Sequence, residues 1–419
     1  MHYIRFLKPP RLLPASKTSA SSVLTIATKI TITTDLGEAF LLTPLTIVVE
    51  IEIDGVVVPF GKGRKGQREF LWKGNEGMRS LEMEIPLNGI RGIDLSRDSG
   101  KLRVFIHPVG EDVRGESFGA VLRGSAEGRK GVVIGVRGMD LDMHKLMRGE
   151  AAGGGMGMAE RRFGVAGREI RIWEETGESI ARHICMFSLR CDLVCVANDI
   201  LGIGDAGLIL SAYLTTLSPL SPSPSSPSHP ALPSLPILAS TLAMQNLHIL
   251  ELGAGCGIVG ITLSAFFSAH ISQCLLTDLP EASDILEHNL HLAHLPILSH
   301  QVLDWSLPLL PPQVGAGKRW DLVCVADCTY NPDVVPDLVG TLGRLRDSEE
   351  MGKGNGKGEG NGMGRGEVKV LLAMKVRHES EMVFFELMEK EGFEILERGR
   401  IPLTVLGGEG EEIEIFVFG

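Results

Sequence analysis

Three glycines that follow an apolar run are the first residues whose spacing points to chemistry. Gly253, Gly255 and Gly257 come directly after HILEL and just before an apolar stretch typical of a helix. Glycines at such positions let the backbone turn sharply and let a ligand approach it without meeting a Cβ atom. A shifted pattern, GxGxxG at Gly255, Gly257 and Gly260, is typical of dinucleotide binding. The glycines alone therefore indicate a nucleotide-like ligand and leave its identity open.

Polar and aromatic side chains lie at the end of each of the next three apolar runs. In chain order they are Asp278, Asp304 with Trp305, and Asp327 with Tyr330. In an open α/β sheet the carboxyl ends of neighbouring strands form one rim, where ligands bind. A carboxylate there can hold ribose hydroxyls or accept a hydrogen bond from an adenine amino group, and a tryptophan ring can cover the base. We therefore predict that these side chains line one binding site.

The segments around these residues alternate between strand-like and helix-like patterns. The apolar, strand-like runs lie at 248–252, 273–278, 297–305, 320–327 and 367–376. The helix-like runs between the strands lie at 258–270, 281–294 and 332–345. This alternation predicts a parallel sheet with helices on both faces, and two final strands, FEILER and EEIEIFVFG, predict an antiparallel edge.

The N-terminal part of the sequence has a different pattern. Residues 22–135 contain alternating and β-branched runs, and we find no group of residues there with evident chemistry. We predict a β-rich region over 1–147, a glycine-rich linker over 148–168 and an α/β domain over 169–419. Proline-rich, glycine-rich or interrupting segments predict insertions in that domain at 185–204, 218–236 and 347–366.

Composition limits the classes of function. With 41 basic and 52 acidic residues the formal net charge is −11, which argues against nucleic-acid and membrane partners. Seven cysteines without a CxxC pair argue against a disulfide scaffold and favour a reducing compartment. We expect a cytoplasmic protein, with a nuclear location as the alternative. The basic, acid-free start of the chain is only weak support for organelle transit.

The motifs together resemble those of a known enzyme family. The seven-β-strand protein-lysine methyltransferases of the family-16 group carry similar motifs, which are here ELGAGCGIVG, LLTDLP, LDW and DLVCVADCTYN. The resemblance covers roughly residues 169–419. It implies a Rossmann-like, seven-stranded class I methyltransferase sheet that binds S-adenosylmethionine, with the N-terminal β-rich region as an addition. It also implies transfer of a methyl group to a lysine side chain of a protein.

The resemblance assigns roles to residues of the rim. The implied cofactor-binding residues are Glu251, Gly253, Ala254, Gly255, Gly257, Asp278, Asp304, Trp305 and Ala326. Among them, the loop Gly253–Gly255 is implied to approach the methionine part of the cofactor. Asp278 is implied to hold the ribose, and Trp305 to flank the adenine.

The DxxY motif of that family maps onto Asp327 and Tyr330, the implied catalytic residues. A lysine must lose its proton before it attacks, and desolvation in an apolar pocket lowers its pKa. We expect Asp327 to orient the amine and Tyr330 to shape the pocket. Lys375 and Arg377, after the fifth strand, are expected to be solvated or to line the substrate channel. The expected partner is a protein that presents a lysine to a monomeric enzyme, and no metal ion is expected.

Three other interpretations share some of these residues. A small-molecule or amino-terminal amine N-methyltransferase uses the same cofactor residues and differs only in its acceptor. A second alternative is a non-catalytic binding module with an impaired cofactor pocket. It is suggested by residues 185–204, which interrupt the chain between ARHI and DAG and contain a second copy of the DLVCVA sequence of 321–326. A nicotinamide-dependent oxidoreductase uses the shifted glycines but leaves ADCTY unexplained.

Overall fold

A computed structural model describes the chain over residues 1–13, 25–58, 68–87, 101–126, 129–142, 157–176, 202–220, 232–315, 317–353, 368–375 and 379–419. The chain divides into two compact units. The first consists of Met1–Phe163, Arg171–Gly202 and Thr404–Glu409, and the second of Gly164–Ile170, Ile203–Leu403 and Gly410–Gly419. Each unit has its own cluster of buried apolar side chains.

The N-terminal region consists mainly of β-strands. In chain order these are β1 (His2–Leu13), β2 (Thr25–Thr33), β3 (Leu45–Ile53), β4 (Val56–Val58), β5 (Glu69–Trp72), β6 (Leu81–Pro86), β7 (Lys101–Pro108), β8 (Val133–Ile134), β9 (Val136–Arg137), β10 (Leu141–Asp142), β11 (Met158–Val165) and β12 (Arg168–Glu175). One α-helix of the described residues, α1 (Phe118–Ser125), lies between β7 and β8. Within the described ranges, the strands form a sheet of order β6-β2-β1-β8 and a second of order β12-β11-β9-β7-β3-β4, with β10 beside β7 and β5 beside β3.

Antiparallel pairing of β1 with β2 shows why this region forms sheets. Ile4 lies opposite Ile32 and Phe6 opposite Ile30, and all four side chains are buried. Because side chains alternate between the two faces of a strand, the IleThr repeat places its isoleucines on the same face. The predicted β-rich N-terminal region is therefore confirmed.

One strand, β11, lies where the glycine content predicts a linker, and a second, β12, begins at the last residue of that predicted linker. β11 and β12 are neighbours at one edge of the second sheet, and both begin after residue 157. Arg161 of β11 is fully buried, and its Nε donates to Glu174 of β12 at 2.8 Å. Composition does not reveal such a buried ion pair, because the charged residues of the segment suggest an exposed chain. Residues 148–156 of the predicted linker lie outside the described ranges.

The second unit contains a seven-stranded sheet among its described residues. Its strands are β13 (Leu247–Leu252), β14 (Ile271–Asp278), β15 (Leu298–Val302), β16 (Leu322–Ala326), β17 (Lys369–Lys375), β18 (Ile395–Leu403) and β19 (Glu411–Phe418). The spatial order is β15-β14-β13-β16-β17-β19-β18. The first five strands of this order are parallel, whereas β19 is antiparallel to both of its neighbours. The predicted fold class, a Rossmann-like seven-stranded α/β sheet with a β-rich N-terminal region, is confirmed.

Helices follow most of these strands, as the alternating pattern predicts. The described helices of this unit are α2 (Asp205–Leu217), α3 (Pro236–Leu242), α4 (Ile258–Phe266), α5 (Ser283–Ala293), α6 (Val335–Lys353) and α7 (Val383–Lys390). α6 and α7 pack against β16 and β17 through a core that includes Val323, Leu338, Leu372 and Phe384. No helix of the described residues is long and apolar enough to span a membrane.

The three predicted insertions lie largely outside the described residues. This applies to 185–201, to 221–231 and to 354–366. The described part of the third segment, from residue 347 onward, continues α6 to Lys353.

The strand order reverses beside β13 and thereby sets the position of a site. β14 lies on one side of β13 and β16 lies on the other. The chain therefore adds β14 and β15 to one half of the sheet and then builds the other half from β16 onward. Ligands of open α/β sheets bind outside the carboxyl ends of the strands at such a reversal. The loop after β13 and the ends of β14, β15 and β16 therefore belong to one edge.

Candidate functional site

The loop between β13 and α4 has a backbone that requires glycine. Gly253, Gly255 and Gly257 have φ angles of 64°, 54° and 81°, in the left-handed region. A Cβ atom on Gly253 would lie 2.5 Å from Cys328 Sγ and 3.2 Å from the ring of Trp305. A Cβ atom on Gly255 would meet nothing within 4 Å. The loop is therefore closely packed at Gly253 and open at Gly255, where a ligand can approach the backbone.

Asp278, the last residue of β14, is bound to this loop. Its Oδ2 accepts a hydrogen bond from the Gly255 N–H at 2.6 Å, and its Oδ1 accepts one from the Leu279 N–H at 2.7 Å. The side chain is half-buried, and a carboxylate has about four lone-pair sites. Asp278 therefore ties the end of β14 to the glycine loop.

Trp305 and Asp304 follow β15 at the same edge. The Trp305 ring lies against Gly253, and the Trp305 carbonyl accepts a hydrogen bond from Arg344 at 3.1 Å. Asp304 Oδ1 accepts hydrogen bonds from the backbone N–H and the hydroxyl of Ser306, at 2.9 and 2.7 Å. The structure thus brings Trp305 to the glycine loop and holds Asp304 in the turn beside it.

Glu251, in β13, and Ala254, within the loop, are both buried. Glu251 is 3% exposed, and its Oε2 accepts a hydrogen bond from the Gly260 N–H of α4 at 2.8 Å. Burial raises the pKa of Glu251 to about 8. Ala254 is also buried, and its N–H donates to the Thr277 carbonyl at 3.0 Å. Glu251 thus holds the first turn of α4 and Ala254 ties the loop to β14, whereas Gly255 is the open part of the loop.

Asp327 follows β16 in a left-handed conformation with φ of 56°. Its N–H donates to the Ala373 carbonyl of β17 at 3.1 Å. Its Oδ2 accepts hydrogen bonds from the N–H groups of Ala206 and Gly207, at 2.8 and 3.2 Å. The first N–H groups of a helix have no partner within the helix, so this carboxylate caps α2. Ala326 and Tyr330, on either side of it in the chain, are half-buried.

The start of α2 also contains an ion pair that the sequence analysis did not predict. Lys375, at the end of β17, is 4% exposed, and its Nζ lies 3.1 Å from Asp205 Oδ2 and 2.8 Å from Glu411 Oε2. The expectation that Lys375 is solvated is therefore wrong, because two carboxylates hold it in the interior. Arg377 lies outside the described residues. In the sequence Asp205 stands just before an apolar run, a pattern that signals the start of a helix and not an ion pair.

The sheet order and the glycine loop define the class of this domain. An antiparallel seventh strand between the fifth and the sixth distinguishes the sheet from the 3-2-1-4-5-6 order of dinucleotide-binding domains. The second unit therefore has the fold of a class I methyltransferase.

Comparison with known families gives a narrower assignment. Residues 199–391 match the family described as "Lysine methyltransferase". The matched range contains the glycine loop, Asp278, Trp305, Asp327 and Lys375. Over this range the chain is similar to that family.

Individual proteins match over shorter stretches. The chain is 25% identical over 166 residues to a UPF0665 family protein of Schizosaccharomyces pombe, which covers 39% of this chain and 44% of that protein. It is 30% identical over 95 residues to protein-lysine N-methyltransferase EFM2 of Saccharomyces cerevisiae, covering 21% and 23%. It is 29% identical over 153 residues to protein N-lysine methyltransferase METTL21A of Mus musculus, covering 35% and 58%. The chain thus spans less than two thirds of the length of each of these relatives.

The raised pKa of Glu251 makes a prediction about stability. Its folded-state pKa of about 8 lies above the ordinary value of 4.5, so the folded protein keeps a proton that the unfolded protein releases between these pH values. The stabilisation is complete below the lower value and is lost as the pH rises through the upper one. We expect the free energy of unfolding to fall across this range, by at most about 1.4 kcal/mol per pH unit for this group.

Glu251→Gln isolates that contribution, because the amide oxygen can still accept the Gly260 N–H while the titration is removed. Urea unfolding at several pH values should show a shallower decrease in stability for this variant than for the wild type. Glu287→Gln, on the exposed face of α5, is the matched control. Equal pH dependence in the wild type and Glu251→Gln would contradict the assignment.

Proposed function

We propose that the second unit binds S-adenosylmethionine at the carboxyl edge of its sheet and transfers the methyl group to a lysine side chain of a protein. The observation that carries this proposal is a glycine loop that is open at Gly255, bound to Asp278 through the Gly255 N–H, and packed against the Trp305 ring at Gly253. The family match over 199–391 and the two relatives named as protein-lysine methyltransferases support the choice of acceptor.

The residues of the rim fit the parts of this cofactor. Asp278 is a half-buried carboxylate, a group that can accept hydrogen bonds from ribose hydroxyls, and the left-handed loop presents backbone at Gly255 without a Cβ atom in the way. The flat indole of Trp305 can cover the adenine, and Asp304 can accept from its amino group. In this proposal Gly253, Ala254, Gly257, Glu251 and Ala326 form the loop and strand ends around those contacts.

The bound cofactor supplies an electrophilic methyl group, and the chain itself must position the amine. A lysine ammonium first loses its proton to solvent, which desolvation in the site favours. Its nitrogen lone pair then forms the N–CH3 bond as the S–CH3 bond breaks. Asp327 orients the amine for this attack, and the half-buried Tyr330 forms part of the pocket wall.

Asp278→Ala tests the cofactor site. The change removes the carboxylate that binds the Gly255 N–H and would accept from the ribose. We expect it to weaken S-adenosylmethionine binding by about 1.5–3 kcal/mol, the scale of a charge-assisted hydrogen bond. Isothermal titration calorimetry measures this, with Asp347→Ala on the exposed side of α6 as the control. An unchanged affinity in Asp278→Ala would show that the carboxylate does not contact the cofactor.

Two variants are needed to test the role of Asp327, because its carboxylate caps α2 in addition to its proposed catalytic role. Asp327→Asn keeps an oxygen for the Ala206 N–H but removes the charge. We expect it to slow methyl transfer on the order of 10²–10⁴-fold while the affinity for the cofactor stays near that of the wild type. Asp327→Ala should also lose about 0.5–2 kcal/mol of stability, because α2 then lacks its cap.

The assay is transfer of radiolabelled methyl groups to the proteins of a cell extract. Tyr330→Phe should lose less activity than Asp327→Asn, because the ring remains and only the hydroxyl is removed. If Asp327→Asn labels proteins as fast as the wild type, the proposed role of Asp327 is wrong. If the wild type binds the cofactor but labels no protein, a small-molecule acceptor becomes the better explanation.

A further inference from the structure

Lys375 carries a buried charge that the proposed reaction does not use directly. Its side chain is 5% exposed, that of Asp205 is fully buried, and that of Glu411 is 39% exposed. Removing one partner of a buried ion pair leaves the other charge uncompensated, which is strongly unfavourable. Lys375 and Asp205 are therefore held to each other more firmly than an exposed pair would be.

This ion pair holds the same helical turn that Asp327 caps. Asp205 is the first residue of α2, and the next two residues donate their N–H groups to Asp327 Oδ2. Lys375 and Asp327 leave the ends of β17 and β16, which are neighbours in the sheet. Two adjacent strand ends thus bind three consecutive residues of one turn.

The close packing at this turn leaves Asp327 little freedom. A Cβ atom on Gly204 would lie 2.2 Å from Asp327 Oδ2, so the backbone before α2 lies directly against the carboxylate. The Asp327 N–H is itself bound to Ala373, two residues before Lys375. A shift of the first turn of α2 would therefore move the Asp327 carboxylate with it.

We infer that Lys375 is a positioning residue, which fixes the Asp327 carboxylate at the rim by anchoring Asp205 and with it the first turn of α2. The inference rests on the proposed function, because it assigns Lys375 a role in the reaction for which Asp327 is the catalytic residue. Lys375 does not contact the acceptor in this account. Its effect is on the rate of transfer and not on binding of the cofactor.

The central test is Lys375→Met, which keeps most of the side-chain length and removes the charge. Misplacement of a catalytic group by about 1 Å can cost on the order of 10²-fold in rate. We expect kcat for methyl transfer to fall about 10- to 100-fold, while the Kd for S-adenosylmethionine changes less than about threefold. Lys375→Arg, which can still pair with Asp205, should recover most of the rate. Lys369→Met, at the opposite end of β17, is the matched control.

Combining Lys375→Met with Asp327→Asn separates a positioning role from general support of the fold. If Lys375 acts through Asp327, Lys375→Met should slow Asp327→Asn little further, because the group that it positions is already changed. A purely structural role would lower the unfolding temperature and leave kcat of the folded protein unchanged. Should Lys375→Met fail to fold, the double variant Lys375→Met with Asp205→Asn removes both charges and takes its place.

The outcomes are distinguishable. A folded Lys375→Met protein, or the double variant, with the kcat of the wild type would overturn the inference. Full additivity of Lys375→Met with Asp327→Asn would overturn it as well. If the wild type transfers no methyl group to any protein, the proposed function fails and this inference fails with it.

Discussion

Carboxylates that accept backbone N–H groups hold the loops and helix starts at the carboxyl edge of this sheet in place. Asp278 binds the Gly255 N–H, Glu251 binds that of Gly260, and Asp327 binds those of Ala206 and Gly207. Each of these N–H groups belongs to a loop or to a first helical turn, where the backbone lacks partners of its own. The carboxylates therefore fix the glycine loop, the first turn of α4 and the first turn of α2.

This arrangement has a consequence for the proposed chemistry. Backbone donors spread the negative charge of Asp327 over the N-terminus of α2, where the helix dipole also stabilises it. A carboxylate held in this way can orient a lysine side chain without taking its proton permanently. The amine must be free to lose its proton, because it must be neutral when it attacks the methyl group.

The sequence reveals the parts of the fold that depend on local patterns. The strands β13–β17 are apolar runs, the glycine loop is a short motif, and Asp278, Trp305 and Asp327 follow strand ends that meet at one edge for topological reasons. The sequence does not reveal which of these residues are buried, because burial depends on packing between elements that are distant in the chain. Glu251 is buried because β13 is a central strand covered on both faces, and its hydrogen bond with Gly260 depends on how α4 packs.

Long-range pairs are the features that the sequence could not predict. Lys375 and Asp205 are 170 positions apart, so no local pattern shows that they form a pair. The hairpin of β11 and β12 is a similar case, since Arg161 and Glu174 make a charged segment part of a core. In both cases a charge that composition places at the surface is compensated by a partner from another element.

The central claim is that a lysine side chain receives the methyl group. The most direct measurement is mass spectrometry of the proteins of a cell extract after incubation with the wild-type chain and S-adenosylmethionine that carries a trideuterated methyl group. The account predicts heavy methyl groups on lysine side chains of one or a few proteins, absent from a parallel sample with Asp327→Asn. Heavy methyl groups confined to amino termini or to small molecules, or none at all while the cofactor binds, would contradict it.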